Sequence, residues 1–181
     1  MRILYYPHPV LRERTNEVKR MQPALKAEVQ EMLHLMYEAK GVGLAASQVG
    51  LGQRFFVYDT GAGEEGEESE EKREPGHGQV LINPVILEAV GEVEEEEGCL
   101  SLPQITANIK RSHKVKVAGL DLEGKEIVLE AEGWLARVFQ HEIDHLDGVL
   151  IIDRMSLAGR LANARRLKAL EKTFLEDIAC A

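Results

Sequence analysis

Hydrophobic and polar positions follow two different periods along this chain, and the changes of period mark its elements. In residues 23–40, Leu25, Val29, Met32, Leu33, Met36 and Tyr37 recur at helical spacing. They share one side of a helix that Gly41 ends. Residues 54–58, Arg-Phe-Phe-Val-Tyr, are rich in aromatic and β-branched types and predict a strand. Residues 80–87 predict another, bent or confined to an edge by Pro84. Residues 114–117 and 127–129 predict strands joined by a turn at Glu123-Gly124-Lys125. Residues 132–146 predict a helix, and residues 156–178 a longer one with Ser156 as its N-cap. No internal repeat is present. Strands in the middle with helices before and after them predict an α+β fold.

Composition narrows the class. A chain of 181 residues fits one domain, here residues 1–181, and buries roughly 70% of its unfolded surface without covalent staples. Cys99 and Cys180, the only cysteines, exclude a disulfide-rich scaffold. No apolar run approaches the ~20 residues that span a bilayer. The first ten residues lack the apolar stretch of a secretory signal. A cytoplasmic protein with reduced thiols and no membrane partner is the expectation. A net charge of −9 argues against coating DNA or RNA.

That charge is unevenly spread. Residues 61–79 carry seven glutamates against Lys72 and Arg73, a net of −5, with glycines and Pro75 between them. This composition predicts a solvated surface loop. A second acidic run, Glu92 and Glu94 to Glu97, leads into Gly98-Cys99 and reads by default as solvated charge. Residues 154–172 hold six basic side chains and one acid, a net of +5.

The strongest chemical signal is His141-Glu142-Ile143-Asp144-His145. On a helix, residues i and i+4 lie about 40° apart around the axis, so both imidazoles can reach one ion. Glu142 leaves the helix on the same side, where it can carry a proton for water activated by a metal. Trp134, Arg137, Val138, His141, Glu142 and His145 share one face, and Leu135, Ala136, Phe139, Ile143 and Leu146 the other. The helix is therefore expected to bury one side and line a pocket with the other. A catalytic metal usually takes three protein ligands. Asp147 and Asp153 are available but awkwardly placed, and Cys99, between small and turn-forming residues, is the better third ligand. A buried small hydrophobe is the alternative for Cys99. Arg137 could orient a carboxylate such as Glu97. In residues 41–50, glycines at 41, 43 and 50 and alanines at 45 and 46 let another backbone approach. The Gly43 stretch could pair with an extended peptide, and Gln48 could donate to a developing oxyanion. A plain loop is the alternative.

Three segments together resemble the peptide deformylase family, bacterial and organellar enzymes that remove the formyl group from nascent chains. They are Gly43-Leu44-Ala45-Ala46-Ser47-Gln48, then Glu97-Gly98-Cys99-Leu100-Ser101, then Gln140-His141-Glu142-Ile143-Asp144-His145-Leu146-Asp147-Gly148. The opening Pro7-His8-Pro9-Val10-Leu11-Arg12 is similar as well. Ser47 stands where many relatives have proline. The resemblance implies small antiparallel or mixed sheets packed around a central metal-binding helix, with a helix at the C-terminal end. It implies one ferrous ion per chain on Cys99, His141 and His145, replaceable by zinc, nickel or cobalt in preparations. Glu142 is then the general acid/base, and Gln48 and the Leu100 N–H are the oxyanion donors. Val42, Gly43, Trp134 and Val138 are expected to bind the substrate, an N-formylmethionyl nascent peptide. The basic stretch at 154–172 is either a solvated helix face or a surface that docks on ribosomal RNA. A zinc peptidase of the same His-Glu-x-x-His type and a structural metal protein are the rival readings.

Overall fold

Alternation along β2 (Phe55–Asp59) organises the molecule. Phe55 and Val57 point to one side of the sheet and Phe56 and Tyr58 to the other, so all are buried. The structure is a computed structural model that describes residues 1–59, 61 and 77–179. Most of the acidic stretch at 61–79, and Cys180, lie outside those residues.

β2 sits in a five-stranded sheet in the order β1-β2-β3-β6-β7. Its other members are β1 (Gly43–Ala45), β3 (Gly78–Val90), β6 (Lys114–Leu120) and β7 (Glu126–Glu132), and every pairing is antiparallel. α1 (Pro23–Glu38) covers one face, setting Leu25, Val29, Met32 and Met36 against Phe55, Val57, Val80 and Ile82. α2 (Gly133–Leu146) covers the other, setting Ala136, Phe139, Ile143 and Leu146 against Phe56, Tyr58, Leu81, Val115 and Val117. The apolar side expected for this helix is thus the side it buries. Phe139 packs edge-on against Tyr58, with ring centroids 4.9 Å apart.

A separate hairpin pairs β4 (Val93–Cys99) with β5 (Leu102–Arg111). Leu102, Ile105, Ala107 and Ile109 of β5 pack on the short helix α3 (Ile151–Arg154) and on α4 (Leu157–Ala179). Asn163 fixes α4 to β5 by donating to the Thr106 carbonyl at 2.8 Å. Ser156 Oγ accepts the Gly159 N–H at the start of α4, as a capping residue should. No helix among the described residues is long and apolar enough to cross a membrane.

One expectation needs correction. The Glu92–Glu97 run is not simply solvated charge. Glu94 to Glu97 belong to β4, and strand alternation turns Glu97 inward, where it is 6% exposed. Pro84 lies where the pairing with β2 has already ended at Ile82 and β3 pairs with β6 alone, so the bend or edge expected there is present. It sits at a register shift between Ile82 and Val85, beside Asn83 at φ 52°, where its missing N–H leaves no ladder bond unmade. Replacing Phe139 by alanine opens a cavity between α2 and the sheet. Urea unfolding should show a loss of about 3–5 kcal/mol; a loss below about 1 kcal/mol would show that α2 does not rest on this contact.

Candidate metal centre

His141 and His145 leave α2 one turn apart, with ring centroids at 4.9 Å. One residue after His145, at Leu146, the helix ends. Gly148 takes φ 74° so close to the Arg12 carbonyl that a Cβ would lie 2.5 Å from its oxygen. The end of β4 brings Cys99 across from the hairpin, at a register shift that follows Gly98. Its Sγ lies 3.1 Å from His145 Nε2. The ligand atoms of Cys99, His141 and His145 all fall within 4.8 Å of one another.

The charges around this group are strongly coupled. Glu97 Oε2 stands 3.1 Å from His141 Nδ1, which leaves the far ring nitrogen free to face the sulfur. The same carboxylate accepts from Arg111 Nε at 2.9 Å and Nη2 at 3.0 Å, and from Arg137 Nη1 at 2.7 Å. Burial would raise the Glu97 pKa, but hydrogen bonds from His141 and Arg111 outweigh it and bring the group down to about 2. Burial also opposes charge on His141, yet hydrogen bonds to Cys99 and Glu97 raise its pKa well above the usual imidazole value. A metal cation competes with that proton for the ring. His145 moves the other way, held neutral by burial and by the positive charge of His141. Glu142 is 4% exposed and its Oε2 has no partner among the described residues. Burial pushes it up to about 7, against the pull of His141.

A cavity of about 630 Å³ opens onto this group. Val42, Gly43, Gln48, Cys99, Leu100, Trp134, Val138, His141 and Glu142 all line it, while His145 lies beneath at 1% exposure. Gln48 accepts the Ala45 N–H at 2.8 Å, which turns its amide nitrogen toward Ser101 Oγ at 3.1 Å and Cys99 Sγ at 3.7 Å. The 41–50 stretch is therefore no plain loop. It holds β1 and a 3-10 helix, Ala46–Val49, and is buried through most of its length. Arg137 reaches Glu97, as its position on the helix face suggested. Asp147 and Asp153, the other acids considered as ligands, are engaged by Arg54 and Arg12 and lie outside the group. Sequence reasoning missed Ser101, Arg111 and Asp144. Arg111 ends β5, whose alternating 102–111 pattern marks that position as inward-facing.

The donor set fits a metal. A thiolate and two imidazoles from separate elements converge, and a buried carboxylate with an unpartnered oxygen stands beside them at the end of a cavity. Together these features define a metal-dependent hydrolase.

A family model for polypeptide deformylase matches residues 1–160. The peptide deformylase of Thermotoga neapolitana is 46% identical over 173 residues, 95% of this chain and 97% of the relative. Peptide deformylase 1 of Clostridium perfringens is 47% identical over 146 residues, 80% of this chain and 90% of the relative. Among solved structures, Plasmodium falciparum peptide deformylase superposes with a TM-score of 0.88 at 34% identity, covering 97% of this chain and 98% of that one. Thermotoga maritima peptide deformylase gives 0.76 at 46% identity, covering 86% and 97%. The chain belongs to the peptide deformylase family. Its activity is the hydrolytic removal of the formyl group from the N-termini of nascent peptides.

Of the glycines that line the cavity, Gly43 has the least room for a side chain. A Cβ there would lie 2.5 Å from Glu142 Oε1 and 2.9 Å from its Cγ and Cδ. Gly43→Ala should displace the carboxylate and lower kcat for formate release about 10²-fold while metal content stays the same. Unchanged kcat would mean that Glu142 need not sit where the structure puts it.

Proposed function

We propose that Cys99, His141 and His145 hold one divalent metal, that Glu142 moves the proton, and that Gln48 and the Leu100 backbone N–H stabilise the oxyanion. The observation that carries this reading is the gathering of three ligand atoms within 4.8 Å beside the unpartnered Glu142 Oε2. When bound, the metal supplies Lewis acidity, polarising the formyl oxygen and making water a better nucleophile. Glu142, poised near neutrality by its burial, takes a proton from the attacking water. The formyl carbon becomes tetrahedral, and its oxygen gathers charge beside the Gln48 amide nitrogen and the Leu100 N–H. Glu142 then gives its proton to the amine nitrogen as the C–N bond breaks. Formate and a free N-terminus result. A formyl carbon carries only hydrogen, so a tight end to the cavity admits it and excludes larger acyl groups. Val42, Trp134 and Val138 form an apolar wall suited to the methionine side chain, and Gly43 lets the peptide backbone come close.

The native metal in this reading is ferrous iron, in keeping with the sequence resemblance. A thiolate with two imidazoles also takes zinc, nickel and cobalt, and zinc at least as tightly as iron. The enzyme acts in the cytoplasm as one catalytic domain over residues 1–181. α4 docks on ribosomal RNA through its outward side. Arg154 and Arg160 are committed to Asp144 and Asp153, but Arg165, Arg166 and Lys168 are exposed and make no ion pair among the described residues.

Two measurements check these assignments. Loaded with iron under anaerobic conditions, the unaltered chain should release formate from formyl-Met-Ala. Cys99→Ala should lose both metal and turnover, whereas Glu142→Ala should keep the metal and lose turnover. Turnover surviving in either variant contradicts the assignment. Reversing Arg165, Arg166 and Lys168 to glutamate should abolish co-sedimentation with ribosomes at low salt, and unaffected co-sedimentation removes α4 as the docking element.

A further inference from the structure

Outside the ligands and the proton carrier, Arg111 is a fully engaged buried charge beside this site, with its side chain 3% exposed. It comes from the last position of β5, opposite Val93 in the hairpin. All three guanidinium nitrogens are used. Nε and Nη2 form a fork on Glu97 at 2.9 and 3.0 Å, and Nη1 donates to Asp144 Oδ2. The positions of its two acceptors matter. Glu97 lies two residues before Cys99 on β4, and Asp144 lies one residue before His145 on α2. Glu97 in turn meets His141 Nδ1, and His141 lies one turn from Asp144 on the same helix. The contacts therefore close a ring from His141 to Glu97, Arg111, Asp144 and back along α2.

We propose that Arg111 is a positioning residue for the metal centre: it staples the strand that carries Cys99 to the helix that carries His141 and His145, and holds Glu97 against His141 Nδ1. The inference rests on the assignment of those three residues as metal ligands. The ring sets two things that coordination needs. One is the distance between the sulfur and the imidazoles, because Glu97 lies two residues and Asp144 one residue from a ligand along the chain. The other is the orientation of the His141 ring. A carboxylate gripped by a rigid fork cannot rotate away from Nδ1, and that keeps the opposite nitrogen directed at the sulfur. Lysine cannot reproduce the fork, since it offers one compact ammonium in place of three fixed nitrogens. Arg137 does not substitute either. It ties α2 to the hairpin through Glu95, Glu97 and the Val93 and Ile109 carbonyls, but it gives Glu97 one nitrogen instead of a fork and makes no bond to Asp144 among the described residues. Arg154 grips Asp144 from α3, outside the ring, and serves as the contrast.

The test uses Co(II) alone as the probe, with affinity from chelator competition and coordination from the cobalt–thiolate absorption. Arg111→Met should bind Co(II) about 10–100-fold more weakly than the unaltered chain. Arg111→Lys, which keeps the buried charge and therefore the fold, should fall between the two and show a changed cobalt–thiolate band. Arg154→Met should bind within about twofold of the unaltered chain. Since Arg111 acts through Glu97, Arg111→Lys in a Glu97→Gln background should weaken Co(II) binding by less than it does alone. The inference is overturned if Arg111→Lys and Arg111→Met denature more easily in urea yet bind Co(II) with unchanged affinity and spectrum. It is also overturned if the two substitutions are fully additive. If the unaltered chain shows no cobalt–thiolate band, the ligand assignment itself fails.

Discussion

The structure depends on one meeting: a sulfur at the end of β4 and two imidazoles on α2, each carried by an element that packs against a different partner. β4 and β5 belong to a hairpin resting on α3 and α4, whereas α2 rests on the five-stranded sheet. Nothing in either core dictates how far apart these two bodies sit. Polar contacts bridge them: Arg111 of the hairpin reaches Asp144 of the helix while gripping Glu97, and Arg137 of the helix reaches Glu95, Glu97 and the Val93 and Ile109 carbonyls of the hairpin. Such contacts are costly to bury and become favourable only when every donor and acceptor is matched. Here they are matched, and the buried side-chain atoms without a partner among the described residues, Glu142 Oε2 and His145 Nδ1, belong to the site itself.

This arrangement explains why the site can hold a charged group in a dry setting. Glu97 stays ionised because His141, Arg111 and Arg137 surround it. Glu142, on α2 and buried with no ion-pair partner among the described residues, shifts toward neutrality. Two carboxylates thus stand in opposite environments, which suits the proposed roles, one orienting a ligand and the other exchanging a proton. The small residues of β1 complete the division. Gly43 lies so close to the Glu142 side chain that any larger residue would move it.

Much of this was legible in the sequence, for identifiable reasons. The α2 faces follow from periodicity alone, since Ala136, Phe139, Ile143 and Leu146 needed a core and the histidines needed another side. The third ligand was legible as a preference for Cys99 over Asp147 and Asp153, but only the structure shows those acids committed to arginines. β4 was hidden because four consecutive glutamates look like solvated charge. Strand alternation sends Glu95 and Glu97 toward Arg137 and leaves Glu94 and Glu96 outside, and that separation depends on a partner strand no local pattern reveals. Arg111 was missed for the same reason: its two acceptors lie 14 and 33 residues away. β1 was too short, and too rich in small residues, to show a period of its own.

X-ray absorption at the metal edge of the zinc-loaded protein bears most directly on the central claim. The expected spectrum has one sulfur at about 2.3 Å and two imidazole nitrogens at about 2.0–2.1 Å, with a light atom from solvent completing the shell. A first shell with no sulfur, or with only carboxylate and water oxygens, would contradict the account.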